Sequence, residues 1–481
     1  MEHKNEALRV FIVEHLDNLS RLTKAWKVAL PPIEKAVYKK FVDKGDPAKS
    51  GSRHLREDRF YIAANIVRGA FKAYDNGSPA VRDRMKNLFL KEFMSKTSVV
   101  SENQRHFEDE YNVKPPSFLV ISPGGTCNLR CKDCYAASVP KGLPSLSFEV
   151  FDRILREKYD KWGSWFTVIS GGEPFLWKDG DMGIIEVARL HPEQYFLVYT
   201  NGTLIDKDTA ERLAEVGNIT PAISVEGFEK ETDERRGKGV HKRILTAFEN
   251  LRNAGVPFGI STTATTQNAE LLISKEMIDY YFKKQGALYQ WLFQYMPIGR
   301  GVDTNHQVSP EVRTKMWARE QEIVKKERLP LVDFWNGGPY STGCIAGGRS
   351  GKGYAYIDWN GNIYPCVFVP FWKDNIHKLF LEGKTITDAL YSDLFEGIRD
   401  WQTSYHHNCD PGTAGNLIRP CFIRDHHKEA HDLFIKTEAK PGYESAAISL
   451  KDQNYYDNMI KYDTELARLL DPIWEEHYRK P

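Results

Sequence analysis

Three cysteines lie within eight positions of this 481-residue chain, in the stretch GGTCNLRCKDCYAAS over residues 124–138. Cys127, Cys131 and Cys134 are separated by three residues and then by two. With seven cysteines in 481 positions, chance predicts only about 0.0015 triplets at this fixed spacing. Thiolates this close together on one loop are ligands of the kind that metals and iron–sulfur clusters take.

The number of thiols separates two kinds of site. A structural zinc ion normally takes four protein ligands that close its tetrahedron, usually as two short pairs. Three thiolates suit a four-iron cluster whose fourth iron keeps no protein ligand. That open iron can hold a small molecule through an amine and a carboxylate. Gly124 and Gly125 precede the loop and permit unusual backbone geometry beside bulky inorganic sulfide.

A second group of thiols lies in the last third of the chain. Its members are Cys344, Cys366, Cys409 and Cys421. Four thiolates can fully ligate one cluster, or close one zinc site, or remain unligated in a core. Several histidines crowd the same region, and any one could replace a cysteine as ligand. They are His406, His407, His426 and His427.

Composition limits the classes of function. Sixty-six basic residues balance sixty-five acidic ones, so no electrostatic footprint for nucleic acid or an anionic membrane is expected. We find neither an apolar leader in MEHKNEALRVFIVEHLDNL nor an apolar run long enough to span a bilayer. An odd number of cysteines in such a chain disfavours a disulfide framework, and a cytoplasmic protein is expected.

Short apolar runs alternate with amphipathic stretches from about residue 117 onward. The predicted strands are 117–122, 166–170, 195–200, 220–225, 257–264 and 289–296. The predicted helices are 147–160, 181–190, 206–216, 241–254 and 272–284. This alternation predicts a parallel α/β sheet or barrel, whose ligand sites lie at the carboxyl ends of the strands. The three-cysteine loop follows the first strand.

The flanking regions follow other patterns. Residues 1–110 are predicted to be helical, for example ALRVFIVEHLDNLSRL over 7–22, as a packing or lid module or as a substrate-binding or oligomerisation element. A helix is expected after 305, then a hairpin around Asn360-Gly361, then a helical tail past 423. The predicted units are 1–115, 116–305, 306–437 and 438–481.

The segment CNLRCKDCYA resembles the hallmark of the radical S-adenosylmethionine (SAM) superfamily, C-x3-C-x2-C after the first strand of a partial (β/α)6 barrel. The resemblance implies that Cys127, Cys131 and Cys134 hold a 4Fe-4S cluster whose open iron binds SAM. One residue departs from the pattern, because the family generally has an aromatic residue where this chain has Asp133. Tyr135, one place later, is expected to cover the cluster instead.

Four further segments resemble the family's SAM site, in the expected order at successive strand ends. The backbone of GGEP would receive the methionine amino group of SAM, and a polar turn at the next strand end would face the ligand. SVEG, together with RG, would lie near the ribose and the carboxylate of SAM. QYMPIGR would contact the adenine. The residues concerned are Gly171, Gly172, Glu173 and Pro174, then Thr200 and Asn201, then Ser224, Glu226 and Arg236, then Gln294, Pro297 and Gly299.

The segment GNIYPC, from Gly361 to Cys366, resembles the G-x4-C element of the SPASM/twitch extension found in part of the superfamily. A full SPASM domain carries about seven cysteines for two auxiliary clusters. The four cysteines here imply the smaller twitch-type arrangement with one auxiliary 4Fe-4S cluster. A fully ligated cluster cannot bind substrate without losing a ligand, so electron transfer is its expected role.

The resemblance implies reductive cleavage of SAM to a 5′-deoxyadenosyl radical, which takes hydrogen from an unactivated carbon. A flavodoxin or ferredoxin would supply the electron. The expected substrate is a small molecule, lipid or sugar, since no winged-helix peptide-binding domain is evident in the first 110 residues. The alternatives are a peptide-modifying maturase and, from another class, a non-catalytic iron–sulfur or zinc-binding interaction protein. A methyltransferase is disfavoured because no cobalamin-binding domain is evident.

No catalytic acid or base can be named from the sequence. Glu226 and Asp358 are candidates by position only. Several aromatic residues near the later strands could line an apolar cavity, although core packing is the commoner role. They are Trp291, Phe293, Tyr295 and Phe334.

Overall fold

The computed structural model of the chain describes residues 26–46, 51–88, 98–407 and 414–479. The helix predicted over 7–22 and the candidate ligand Cys409 therefore lie outside the described residues. Within those four ranges, no helix combines the length and the apolar character needed to cross a membrane.

The described part of the N-terminal region is helical, as predicted. Its helices are Trp26–Tyr38 (α1), Arg53–Asn76 (α2), Pro79–Asn87 (α3) and Val99–Tyr111 (α4). Ser52, Ser78 and Ser98 begin the last three of them, and each serine hydroxyl accepts a backbone N–H of the first turn.

Ten strands form one sheet. Their bounds are Phe118–Ile121 (β1), Phe166–Ile169 (β2), Tyr195–Thr200 (β3), Ile219–Ser224 (β4), Gly259–Ala264 (β5), Gln290–Gln294 (β6), Leu331–Asp333 (β7), Tyr354–Ile357 (β8), Asn362–Tyr364 (β9) and Asp374–Asn375 (β10). Their spatial order is β10-β9-β8-β1-β2-β3-β4-β5-β6-β7, and all neighbours from β8 to β7 are parallel.

The strands β1 to β6 lie side by side in chain order, which is the arrangement of the predicted partial (β/α)6 barrel. Helices join them and cover their outer face. These helices are Phe148–Trp162 (α5), Ile184–Leu190 (α6), Lys207–Val216 (α7), Glu229–Arg236 (α8) and Val240–Ala254 (α9), with short helical turns over 269–284. Leu119 and Ile121 face this helical layer, whereas Phe118 and Val120 belong to the inner hydrophobic cluster.

Four strands extend the sheet beyond the six-strand unit. The short strand β7 adds to one edge, and the predicted hairpin supplies β8 and β9 at the other, where β8 runs parallel to β1. Gly361 adopts a positive φ of 79° in the hairpin turn. The hairpin, predicted as part of the unit 306–437, thus continues the barrel sheet. The unit boundaries themselves stay a prediction.

Six longer helices follow the barrel. They are Pro310–Lys325 (α10), Ile376–Leu381 (α11), Asp393–Gln402 (α12), His427–Lys436 (α13), Glu444–Ser449 (α14) and Gln453–His477 (α15). One buried carboxylate joins distant parts of the chain: Asp58 of α2 lies 2.5 Å from Nζ of Lys325 and accepts the hydroxyl of Tyr478 at 2.7 Å. Helix α2, helix α10 and the segment that follows the C-terminal helix therefore pack together.

Candidate functional site

The three-cysteine loop is fastened to the carboxyl ends of the other strands by backbone hydrogen bonds. The amides of Gly172 and Glu173 donate to the carbonyls of Gly124 and Thr126, at 3.0 and 2.9 Å. On the opposite side, the amide of Arg300 donates to the carbonyl of Cys134 at 2.9 Å. The loop is therefore held between the GGEP and PIGR segments.

Two glycines permit this close approach. A Cβ at Gly172 would lie 2.1 Å from the carbonyl oxygen of Thr126, and one at Gly299 would lie 2.2 Å from that of Tyr135. Gly299 also adopts a positive φ of 74°. A side chain at either position would push the cysteine loop away from its supports.

Glu173 joins the ends of β2 and β3. Its carboxylate is 2% exposed and accepts the hydroxyl of Thr200 at 2.7 Å and the amide of Asn201 at 2.8 Å. Burial raises its pKa to about 7, against the opposing effect of these hydrogen bonds. Pro174, also buried, begins the short turn that follows. Glu173 therefore fixes the geometry of the motif, while its backbone stays beside the loop.

Polar hydrogens point at two of the thiols. Nδ2 of Asn201 lies 3.8 Å from Sγ of Cys127, and Nη1 of Arg236 lies 4.0 Å from Sγ of Cys131. Burial raises the pKa of the free Cys127 thiol to about 11, and its cysteine neighbours contribute in the same direction. A metal-bound cysteine is a thiolate, which these donors would stabilise. The residues present therefore fit an iron–sulfur cluster.

Glu226 is held in ion pairs. Its carboxylate lies 2.7 Å from Nη1 of Arg235, also pairs with Arg236, and accepts the backbone amide of Thr263 at 3.3 Å. A carboxylate so engaged orients the two arginines and is a poor candidate for a general base. Nearby, the hydroxyls of Ser224 and Ser261 lie 3.1 Å apart.

Asp133 stands where the family generally has an aromatic residue, and it makes a contact that the sequence did not reveal. Asp133 adopts a positive φ of 53°, and its carboxylate lies 3.2 Å from Nδ1 of His306. Tyr135 turns toward the barrel interior, where its ring lies 6.0 Å from that of Phe368. The Asp133–His306 contact joins the cysteine loop to the segment after β6.

The adenine-region residues lie beside groups from the end of the chain. Gln294 donates to Asp333 at 2.8 Å and accepts from Arg424 at 3.1 Å, so its carboxamide belongs to a buried polar network. Pro297 lines a small cavity of about 30 Å³. The amide of Gly299 donates to the hydroxyl of Tyr443 at 3.1 Å. Nothing in the local sequence pattern around Tyr443 marks it as a residue of the site.

Three of the four later cysteines come together. Cys366 is buried, its Sγ lies 2.9 Å from the hydroxyl of Tyr354, and burial together with nearby Cys344 raises its pKa to about 12. Burial raises the pKa of Cys421 as well, and Cys344 and Cys366 add to this shift. Cys409, the fourth predicted ligand, lies in the part of the chain that is not described.

The candidate histidine ligands each bond a backbone carbonyl. His406, His426 and His427 reach the carbonyl oxygens of Gly415, Arg419 and Ile423 at 3.3, 3.1 and 2.9 Å, respectively. The side chain of His407 lies outside the description. Burial lowers the pKa of the first three to about 4, so their imidazoles are neutral.

Asp358 forms the hairpin turn. Its carboxylate accepts the amides of Asn360 and Asn362, each at 2.9 Å, and the hydroxyl of Tyr364 at 2.9 Å. Burial raises its pKa. A structural role in the turn accounts for all these contacts.

In the described ranges, no three metal-binding side chains surround a single-ion position. A four-iron cluster binds each thiolate at a different iron, so its ligands stand further apart than those of one ion. The absence of a single-ion position among the described residues therefore does not argue against a cluster at the first cysteine group.

Comparisons with known proteins agree with this geometry. Residues 121–270 match the family model described as the Radical SAM superfamily. An AdoMet-dependent heme synthase of Methanosarcina barkeri is 29% identical over 283 residues, which cover 52% of this chain and 77% of that protein. The mycofactocin maturase MftC of Mycolicibacterium smegmatis is 28% identical over 291 residues, covering 58% of this chain and 71% of MftC.

Two solved structures share the fold. SuiB of Streptococcus suis, bound to the precursor peptide SuiA, has a TM-score of 0.52 at 20% identity and covers 68% of this chain and 76% of its own. The anSMEcpe structure with bound AdoMet and the Cp18Cys peptide has a TM-score of 0.50 at 20% identity. The match covers 74% of this chain and 99% of the anSMEcpe chain.

A parallel partial barrel with a three-cysteine loop at the carboxyl ends of its strands defines a radical SAM enzyme. Residues 121–270 form a domain of the Radical SAM superfamily. The predicted superfamily and fold class are confirmed, and the SPASM/twitch subgroup stays a prediction.

Proposed function

We propose that this enzyme modifies a peptide by abstracting a hydrogen atom from one of its carbons. The observation that carries the proposal is the similarity to MftC, a maturase by name, over 71% of the length of that protein. The fold shared with SuiB in complex with its precursor peptide is consistent with it. The expectation of a small-molecule, lipid or sugar substrate has less support than this alternative.

A small-molecule substrate is the second candidate, favoured by one finding. AdoMet-dependent heme synthases of two organisms are similar to this chain, at 29% and 25% identity. A substrate of that kind would be a tetrapyrrole, which is a separate class from a peptide.

The first cofactor is assigned to the cysteine loop. Cys127, Cys131 and Cys134 would hold a 4Fe-4S cluster, and SAM would lie against the strand-end residues named above. When bound, cluster and SAM supply a radical able to take hydrogen from an unactivated carbon. The protein's part is to orient: Glu173 fixes its motif, and Arg236 stabilises thiolate charge beside Cys131.

An auxiliary 4Fe-4S cluster is assigned to the second cysteine group. Cys344, Cys366 and Cys421 would supply three of its ligands and Cys409 the fourth. Because all four irons would then have protein ligands, we assign this cluster an electron-transfer role. An acidic redox protein, flavodoxin or ferredoxin, would deliver the electron that the first cluster needs.

The experiment uses the full chain, reconstituted anaerobically with iron and sulfide. Wild type is compared with Cys131→Ala and, as a matched thiol control, with Cys344→Ala. Reduction with dithionite in the presence of SAM should release 5′-deoxyadenosine from wild type and from the control, and none from Cys131→Ala. Full release from Cys131→Ala would refute the assignment of the first site.

The substrate class is tested separately with the same preparation. Short peptides encoded beside the gene, and iron coproporphyrin, are each incubated with enzyme, SAM and reductant, and masses are measured. A mass change in a peptide supports the proposal. A change in the porphyrin alone contradicts it in favour of the second candidate.

A further inference from the structure

The barrel interior is lined by aromatic rings. Side chains that alternate inward along β1, β2, β3 and β6 pack in an inner cluster that is separate from the helical layer. The aromatic members on these strands are half-buried. They are Phe118, Phe166, Tyr199, Trp291 and Phe293.

Ring contacts cross this interior. Tyr199 of β3 and Phe293 of β6 lie 5.6 Å apart between ring centroids, although β4 and β5 separate their strands in the sheet. Phe293 also contacts Phe334 at 5.7 Å and Phe368 at 5.8 Å, and Phe368 contacts Tyr135 at 6.0 Å. We call these five residues the interior aromatic cluster.

The interior aromatic cluster lies between the two cysteine groups. Tyr135 directly follows Cys134, and Phe368 lies two residues beyond Cys366. Tyr199 directly precedes Thr200, at the strand end that supports the cysteine loop. A substrate group in contact with these rings would therefore lie beside the first cysteine loop, where hydrogen abstraction must take place.

The inward positions of β1 to β6, all of which are described, carry no ionisable acid or base other than tyrosine. The polar groups among them are hydroxyls that pair with one another. Ser224 bonds Ser261 at 3.1 Å, and Thr220 bonds Tyr289 at 2.9 Å. A charged substrate group in this space would lose water without gaining a counter-ion, which is strongly unfavourable.

Two charged residues at the rim are already engaged. Glu226 pairs with Arg235 and Arg236, and Glu173 accepts from Thr200 and from the backbone beside it. These groups serve the cysteine loop and its neighbours. The interior thus offers ring faces and hydroxyls as recognition groups.

We infer that the group which enters the barrel is neutral and aromatic, namely a phenylalanine, tyrosine or tryptophan side chain of the peptide. This inference rests on the proposed function and deepens it. Offset or edge-to-face contact with the interior aromatic cluster favours a ring over an aliphatic chain of similar size. Lysine, arginine, aspartate and glutamate side chains are disfavoured at the reacting position.

The test uses acetylated amino-acid amides as probes of that position. Reconstituted enzyme is reduced with SAM present, and 5′-deoxyadenosine is measured with N-acetyl amides of Phe, Tyr, Trp, Leu, Lys or Glu. We expect the aromatic amides to raise the rate by about fivefold over the uncoupled rate, Leu less, and the charged amides not at all. Deuterium at the side chain of the Phe amide should appear in 5′-deoxyadenosine.

Two variants make the test specific to the cluster. Phe334→Glu should reverse the preference in favour of the Lys amide, which loss of structure alone would not do. Leu381→Ala, at a side chain that is 90% exposed, is the matched surface control and should keep the wild-type preference. An unchanged preference in Phe334→Glu would overturn the role of the cluster.

The outcomes separate this inference from the proposed function. Equal stimulation by charged and aromatic amides, or stimulation by none while uncoupled cleavage proceeds, overturns the inference. Stimulation by 3-methylindole but by no amide supports a neutral aromatic substrate and contradicts the peptide proposal. Absence of uncoupled cleavage would instead refute the enzyme's assigned chemistry.

Discussion

Gly299→Ala is expected to displace the cysteine loop. The new methyl group would lie 2.2 Å from the carbonyl oxygen of Tyr135 and 2.5 Å from that of Cys134, both of them backbone atoms. The position also has a φ of 74°, which costs a non-glycine residue about 1–2 kcal/mol. Relieving the overlap by moving backbone adds about 1–3 kcal/mol, so the expected loss of stability is about 2–5 kcal/mol.

Gly142→Ala is the matched control for backbone strain. Gly142 has a φ of 90°, yet an added methyl group there would meet no atom within 4 Å. It should therefore cost only the conformational part, about 1–2 kcal/mol. The difference between the two variants isolates the contact of Gly299 with the cysteine loop.

The assay measures iron, sulfide and the thermal unfolding midpoint of anaerobically reconstituted protein. Gly299→Ala should lose roughly half or more of the iron held by the first site and unfold several degrees below Gly142→Ala. Gly142→Ala should keep wild-type iron content. Equal iron content and equal midpoints in the two variants would show that the turn does not support the loop as described.

Four further predictions concern individual side chains. Asn201→Ala removes the N–H aimed at Cys127, so the first cluster should become harder to reduce, with a more negative midpoint in an EPR titration. Arg236→Gln should weaken SAM binding about tenfold in equilibrium dialysis, because the positive charge predicted to lie near the carboxylate of SAM is lost; unchanged affinity would contradict this predicted contact. Burial raises the pKa of Glu173 to about 7, so the free energy of unfolding that this carboxyl contributes is present below about pH 4.5 and is lost as the pH rises through 7. Over that pH interval, the thermal unfolding midpoint of Glu173→Gln should therefore fall less than that of the wild type. Parallel curves of midpoint against pH for the two proteins would exclude the effect. Cys344→Ala should lower bound iron from about eight to about four per chain without abolishing 5′-deoxyadenosine release, whereas unchanged iron would remove the auxiliary cluster.

Much of the barrel could be predicted because its signals are local. Short apolar runs such as YFLVYT, bounded by polar residues, predict buried strands, and the polar turns at their carboxyl ends mark the side on which ligands bind. The three-residue strand β7 could not be predicted, since so short a run carries almost no periodicity. Nor does a hairpin pattern reveal that β8 pairs with β1, because that register depends on the assembled sheet.

The parts of the candidate site that were missed all involve distant partners. His306 lies 173 positions from Asp133, and Tyr443 lies 144 positions from Gly299. Neither residue sits in a motif, so only the folded chain shows that they contact the cysteine loop and its supporting turn. The sequence also says little about substrate preference. Aromatic residues on strands show the same sequence pattern whether they fill a core or line a binding space.

The contact of Asp58 with Lys325 and Tyr478 has a consequence for the order of folding. The carboxylate and the tyrosine hydroxyl are 420 positions apart along the chain. Contacts between such distant segments require a long loop to close first, so they form late and slowly. The helix that carries Asp58 therefore gains its buried partners only after the segment around residue 478 has folded into place.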